Sequence, residues 1–292
     1  MRDGNSVVKD RRILIAGCGY VGGRLAELLT EAGATVFALR RSSGAAVSGA
    51  KAVRADLLDP QSLRELPQPL DGAVFSASPS AYDEEGYRSI FVHGLRNLIE
   101  ALAGHERPPD RVIITSSTAV YGQSGGEWVD ESSPTSPRRW NGRVLLEAES
   151  LLHESPLPGC ALRLGGIYGP GRTRHIEQLR ERSARLSPGA PHYTNRIHRE
   201  DAARSLIHLL ALDRVESVYL GVDNEAAAEN DVLSFLAGEL GLPTPPLAES
   251  AAPRRAGSKR CRNDRLVARG YRFVYPTYRE GYRALLEGDE GC

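Results

Sequence analysis

Lysine is almost missing from this chain. Its 292 residues hold three, Lys9, Lys51 and Lys259, and the remaining basic side chains are arginine. Such a bias fits a GC-rich coding sequence, so a lone arginine is weak evidence for a phosphate site. Cysteine is scarce as well. Cys18, Cys160, Cys261 and Cys292 are scattered, with no C-x-x-C pair. That spacing argues against a zinc site and a disulfide framework, and fits a reducing cytoplasm. Net charge is absent, with 37 basic and 37 acidic residues. The balance removes any bulk electrostatic case for nucleic acid or an anionic membrane as partner. No apolar run reaches membrane-spanning length. The first residues, MRDGNSVVKDRR, lack the apolar core of a secretory signal, and residues 1–10 read as a flexible tail.

What the chain does have is concentrated in residues 13–41, ILIAGCGYVGGRLAELLTEAGATVFALRR. An apolar run, Ile13 to Ala16, enters Gly17-Cys18-Gly19-Tyr20-Val21-Gly22. An amphipathic stretch with Leu25, Leu28 and Leu29 on one face follows, then a second strand-like run, Thr35 to Leu39. This is the strand, glycine turn, helix, strand context of a dinucleotide fingerprint. Gly17 permits the turn, Gly19 lets the backbone approach a pyrophosphate, and Gly22 lets helix and strand pack closely. Cys18 inside the turn reads as a small filler rather than a redox group.

Strand and helix patterns alternate through about residue 165. Strands are predicted at 12–16, 35–39, 51–54, 72–76, 111–115 and 160–164, and helices at 22–32, 60–66, 86–103 and about 138–154. The alternation implies an α/β doubly wound parallel sheet. Beyond 165 come an arginine-rich helix near 173–185, a helix from about Arg199, a late strand at 218–222, and a Pro/Ala-rich linker or loop at 242–253. The domain reading is a Rossmann domain over 11–165, rejoined by about 201–222, and a smaller discontinuous C-terminal substrate lobe over 166–200 and 223–292.

Several segments carry a resemblance. Ala55-Asp56-Leu57, FVHGLRNLIEA at 91–101, Thr115-Ser116-Ser117-Thr118-Ala119-Val120-Tyr121-Gly122, Arg163-Leu164-Gly165-Gly166-Ile167-Tyr168-Gly169-Pro170-Gly171 and Ile197-His198-Arg199-Glu200-Asp201-Ala202-Ala203 resemble, in order, those of the extended short-chain dehydrogenase/reductase family, the NAD-dependent epimerases and dehydratases. In the glycine turn, Ala16 stands where that family has its first glycine. The resemblance implies that Asp56 and Leu57 meet the adenine and that Ser117 is the catalytic Ser/Thr. It also implies that helices near 86–103 and 138–154 build a homodimer, using Ile90, Leu95, Leu98, Leu102, Val144, Leu145, Leu151 and Leu152. His198 and Asp201 would form a structural clasp between lobes.

One departure concerns chemistry. The family's acid/base pair is Tyr-x-x-x-Lys on the helix after the S-S-x-x-V-Y-G strand. Here that helix puts Arg139 at the tyrosine position and Arg143 at the lysine position. No tyrosine lies between Tyr121 and Tyr168, and no lysine between Lys51 and Lys259. An arginine stays protonated at any relevant pH, so Arg139 cannot shuttle a proton, whereas Arg143 can still supply charge near a ribose or phosphate. The chain thus looks like the atypical members that lack the pair.

The expected cofactor contacts are Gly17, Gly19, Tyr20, Val21, Gly22, Arg40, Arg41, Asp56, Leu57, Ala77, Ser116 and Arg143. Residues 37–43 contain no acid. An acid there would repel the extra phosphate of NADP, and a guanidinium grips it, so NADP is read over NAD. Ser117 and Tyr121 are the catalytic candidates. The competing readings are a turn serine beside the cofactor and a tyrosine packed under it. The function expected is a cytoplasmic NADP-dependent epimerase, dehydratase or reductase acting on a small polyhydroxylated or nucleotide-linked substrate. The alternative is a non-catalytic NADP-binding sensor. No metal site is expected.

Overall fold

The structure, a computed structural model, describes residues 7–41, 47–250 and 257–289. The tail expected over 1–10 lies partly outside them. Its described end is packed, because Val8 is fully buried and the Asp10 N–H donates to the Gly33 carbonyl at 3.0 Å. Burying one valine is worth roughly 1.5 kcal/mol, enough to tie down a short polar segment.

Seven strands make the main sheet: β1 Arg12–Ala16, β2 Thr35–Arg40, β3 Lys51–Arg54, β4 Gly72–Phe75, β5 Val112–Ser117, β6 Gly159–Leu164 and β7 Val218–Gly221. Their spatial order is β7-β6-β5-β4-β1-β2-β3. The pairs β1–β2, β1–β4, β2–β3 and β4–β5 run parallel. Chain order reverses between β1 and β4, the place where a doubly wound sheet opens its crevice at the carboxyl ends of its strands. Ile13, Leu14, Ile15, Val74 and Phe75 are fully buried. Central strands covered on both faces read as unbroken apolar runs, which is why the sequence displays them so clearly.

The helices include α1 Tyr20–Glu31, α2 Leu95–Ala103, α3 Trp140–His153 and α4 Arg199–Ala211. α1 buries Leu25, Ala26, Leu28 and Leu29. The helix expected over 86–103 is composite: a short α-helix Glu84–Tyr87, a π-helical stretch Arg88–Gly94, then α2. No helix forms at 60–66. Asp56 accepts the Leu58 N–H at 2.9 Å and Asp59 accepts the Gln61 N–H at 3.0 Å, while the Ser62 hydroxyl donates to the Asp56 and Asp59 carbonyls. These local bonds give the backbone an alternative to a helix, although Leu63 and Leu66 are still buried. The apolar stripes expected at a dimer interface are largely used inside the chain, since Leu95, Leu98, Leu102, Val144, Leu145 and Leu152 are all buried.

The chain divides into two compact units, one of residues 1–120, 137–163 and 202–219, the other of 121–136, 164–201 and 220–292. Residues 121–136, assigned from sequence to the Rossmann domain, fall in the second unit because their strand Gly125–Val129 pairs with Ser258–Cys261. That unit has two more strand pairs, Arg196–His198 with Gly166–Tyr168 and Tyr193–Thr194 with Ala227–Ala228. Its apolar core gathers Ile176, Leu179, Val232, Leu236, Tyr278 and Tyr282. The arginine-rich helix spans only Arg174–Arg180, and Arg182 leaves it at φ +56°. The expected linker at 242–253 is anchored at its start, where the Leu186 N–H donates to Pro246 O at 3.0 Å and the Ala248 N–H to Leu186 O at 2.8 Å. Residues 251–256 lie outside the described residues. Among the described residues no helix is long and apolar enough to cross a membrane.

Candidate functional site

The turn after β1 is built by its glycines. Gly17 has φ +99°, and a Cβ there would run into the Ala77 backbone. A Cβ on Gly22 would strike the Gly17 carbonyl. A Cβ on Gly19 would project into open space. Gly19 caps α1 without a side-chain hydrogen bond, and no acid lies in the first turn. The helix therefore offers its first N–H groups and the positive end of its dipole to an anion.

These atoms form one end of a groove of about 340 Å³ lined by Gly17, Gly19, Arg40, Arg41, Asp56, Leu57 and Ala77, all expected from sequence. Arg40 is the last residue of β2, and the exposed Arg41 follows it. Asp56 is the one carboxylate among the groove's residues, and one of its oxygens holds the Leu58 N–H. Cys18 also lines the groove. Burial pushes its thiol up to about 11, so at neutral pH it is a neutral filler. A glycine-held backbone at a helix N-terminus, two guanidinium groups and few carboxylates fit a dinucleotide carrying several phosphates.

Not every expected contact lies there. Val21 and Gly22 are buried in the packing of the turn, and Tyr20 begins α1. Ser116 is not among the residues lining the groove. Its hydroxyl donates to Glu149 Oε1 at 2.6 Å, and the same carboxylate receives Arg163 Nη2 at 2.6 Å and Nε at 3.0 Å. All three residues are buried, so Ser116 serves a charged pair inside the first unit. Arg143 is exposed on α3 and does not line the groove. Sequence reasoning missed Ser76, Ser78, Ser80 and Ile90, which line the groove beyond β4. Their signal was position, since loops after parallel strands open onto this crevice.

The two catalytic candidates differ. Ser117 ends β5, half-buried, and its Oγ accepts the Ala119 N–H at 3.2 Å. That leaves its O–H to donate. Tyr121 is buried and donates its hydroxyl proton to the Asp130 carbonyl at 2.8 Å. A phenol whose proton is committed to a backbone carbonyl is not poised as an acid. Arg139, the N-cap of α3, is exposed, and a guanidinium does not serve as a proton shuttle as a phenol does.

The segment Ile197–Asp201 does structural work within the second unit. Asp201 is fully buried; it accepts the Tyr271 hydroxyl at 2.8 Å and the Val274 and Tyr275 N–H groups at 2.8 and 2.9 Å. The expected clasp thus closes on residues 271–275 of its own unit. His198 packs edge-on against Tyr168 and Tyr275, and burial pushes its imidazole down to about 4. Tyr168 is buried, and desolvation pushes its phenol far up.

The family model for the NAD dependent epimerase/dehydratase family matches residues 13–218. Protein YeeZ of Escherichia coli (strain K12) is 29% identical over 284 residues, covering 91% of this chain and 97% of its own. A 3-diazoavenalumate denitrifying reductase of a Streptomyces species is 26% identical over 310 residues, covering 92% and 98%. A solved structure from Methylobacillus flagellatus, assigned to the NAD-dependent epimerases/dehydratases, is 36% identical with a TM-score of 0.80, covering 97% of this chain and all of the other. With that match spanning the glycine turn, the parallel sheet and the groove at its switch point, this chain belongs to the NAD-dependent epimerase/dehydratase family.

Proposed function

We propose that the protein is an NADP-dependent enzyme of the epimerase, dehydratase or reductase type, with a small polyhydroxylated or nucleotide-linked substrate. The observation that carries the cofactor preference is the end of β2, where Arg40 and Arg41 line the groove and residues 37–43 hold no acid. The first turn of α1, with Gly17 and Gly19, would hold the pyrophosphate, and Asp56 and Leu57 the adenine. The nicotinamide supplies hydride chemistry when bound. Ser117 orients the reacting oxygen by donating its hydroxyl proton. The similar Streptomyces protein is a reductase by name.

The test is calorimetry with NADPH and NADH on the wild type, Arg40→Ala and Arg41→Ala. NADPH binds more tightly to the wild type, and each substitution weakens it by roughly tenfold while leaving NADH nearly unchanged, as loss of one charge-assisted contact predicts. Equal affinities, unmoved by either change, sink the preference.

A second reading, a sensor that binds NADP without turning it over, is favoured by Arg139 and by the committed proton of Tyr121. A carbonyl and sugar-nucleotide screen that never changes the nicotinamide absorbance would select it. From the family resemblance we also propose a homodimer, checked by light scattering, and a cytoplasmic setting.

A further inference from the structure

The second unit buries a guanidinium that has no ion-pair partner among the described residues. Arg196 is 5% exposed and begins the strand Arg196–His198. Its flanks are set by the backbone. Gly166, its partner on the strand Gly166–Tyr168, brings no side chain, and the Asp223 N–H donates to the Arg196 carbonyl at 2.7 Å. The helix Tyr278–Asp289 supplies the rest. The guanidinium carbon lies 5.7 Å from the centroid of the Tyr278 ring, and the Tyr282 hydroxyl takes a hydrogen bond from Arg196. Tyr282 stacks on Tyr168 at 4.5 Å, and a Cβ on Gly281 would run into the Tyr168 hydroxyl.

The polar atoms of this group are not used up. Arg196 Nη1, Tyr168 Oη, Tyr278 Oη and Asp223 Oδ2 are buried and make no hydrogen bond. The other acids near them are engaged elsewhere or exposed. Asp201 is taken by Tyr271 and by the N–H groups of Val274 and Tyr275. Glu225 is paired with Arg279 at 3.2 Å, and Asp231 is exposed. Burial, with the Arg196 charge added, pushes the His175 imidazole down, so it stays neutral. What remains is a set of donors. A guanidinium has N–H groups only. Burial pushes the Tyr278 phenol up to about 12 and that of Tyr168 further, so both keep their protons. The Asp223 carboxyl, pushed up to about 8 by burial, keeps its own at neutral pH. Water could satisfy the hydrogen bonds but would leave the buried charge standing, whereas one anion answers both.

We propose that the second unit binds a small monovalent anion at Arg196, of chloride or formate size, held by the guanidinium and by the hydroxyls of Tyr168 and Tyr278. The site is separate from the cofactor groove, whose lining residues all belong to the first unit. An ion held in this way ties the helix Tyr278–Asp289 to the strand Arg196–His198, so its role is to hold the second unit together rather than to react.

The full-length protein is melted in sodium chloride, sodium formate and sodium gluconate at equal ionic strength, gluconate being too large for the site. The midpoint rises by about 3 °C in chloride or formate over gluconate, and the salt that acts names the source of the ion. Hydrogen exchange slows in that salt at 278–289 and is unmoved at β1. Arg196→Met removes the buried charge and with it the response. Tyr278→Phe keeps the ring, loses one donor and weakens the ion by roughly fivefold, which decides the matter should Arg196→Met not fold. Where chloride acts, a crystal grown in bromide carries its anomalous scatterer beside Arg196. Equal midpoints in the three salts overturn the site. So does a response kept in Arg196→Met, which is a general salt effect, or a bromide bound elsewhere with none at Arg196.

Discussion

The two units of this chain are held together by different chemistry. The first is a parallel sheet whose central strands are aliphatic on both faces, with one buried carboxylate, Glu149, paired with Arg163. The second rests on short strand pairs and buried polar side chains. Asp201 receives three hydrogen bonds from residues 271–275. Asn195 holds the strand Ser258–Cys261, donating to Lys259 O and accepting from Cys261 N. Asn263 donates to Val222 O and to Asn224. Apolar burial is non-directional and forgives conservative exchange, whereas a buried polar hub is costly as soon as one partner goes. The difference teaches that the first unit should tolerate aliphatic substitution with little dependence on pH, and that the second should not.

The sharpest challenge to that contrast is the exception inside the first unit. Arg163→Met leaves the Glu149 carboxylate buried without its guanidinium and should cost about 3–5 kcal/mol in urea unfolding. The double variant Arg163→Met, Glu149→Leu should recover most of it. A cost below about 1 kcal/mol for the single change would mean that the pair does not constrain the first unit. Next in size, Asp201→Ala strands the Val274 and Tyr275 N–H groups and removes one acceptor of Tyr271, a loss of about 3 kcal/mol. Hydrogen exchange should quicken at 271–275 while β1 and β4 keep their protection. Uniform loss of protection across both units would break the comparison.

The pH dependence is the most diagnostic. Asp223 is buried, and desolvation pushes its carboxyl up to about 8 from an ordinary 3.8. The native state thus holds a proton that the unfolded chain gives up above about pH 4, so stability falls as pH rises from about 4 to about 8. Asp223→Asn removes that dependence, so the variant gains on the wild type as pH rises toward 8, with little difference near pH 4. His198 has the opposite sign. Its imidazole is pushed down to about 4 by burial, and its Nδ1 accepts the Glu200 N–H, so its contribution is lost as pH falls from about 6.5 toward 4. Thermal melts of the wild type and of Asp223→Asn across this range separate the two slopes, and a flat wild-type profile would remove the pH argument for the second unit.

The parts of the molecule legible in the sequence were those with a local signal. Ile13 to Gly22 shows its strand, turn and helix because each step has its own residue chemistry, and the groove formed where Gly17, Gly19, Arg40, Arg41 and Asp56 implied. What was not legible depends on partners far along the chain. Ser116 carries no mark that its hydroxyl goes to Glu149, 33 residues on. Tyr121 carries none that its proton goes to Asp130. The segment 60–66 has helical spacing of its leucines but side chains that favour turns. Tyr82 and Trp140, 58 positions apart, carry no mark that their rings meet edge-on at 5.5 Å.

The π-helical stretch at Arg88–Gly94 bears on how this protein can diverge. Such a stretch corresponds to an α-helix that has taken in one extra residue. The wider turn absorbs that residue, so removing one would restore ordinary winding and leave Tyr87 and α2 close to their present faces. The change would fall on the stretch itself, where Ile90 lines the groove, while the glycine turn and the strands would be untouched. A one-codon deletion, rather than any point substitution, is therefore the shortest evolutionary route to a paralogue that keeps the cofactor groove and presents a different wall beside it.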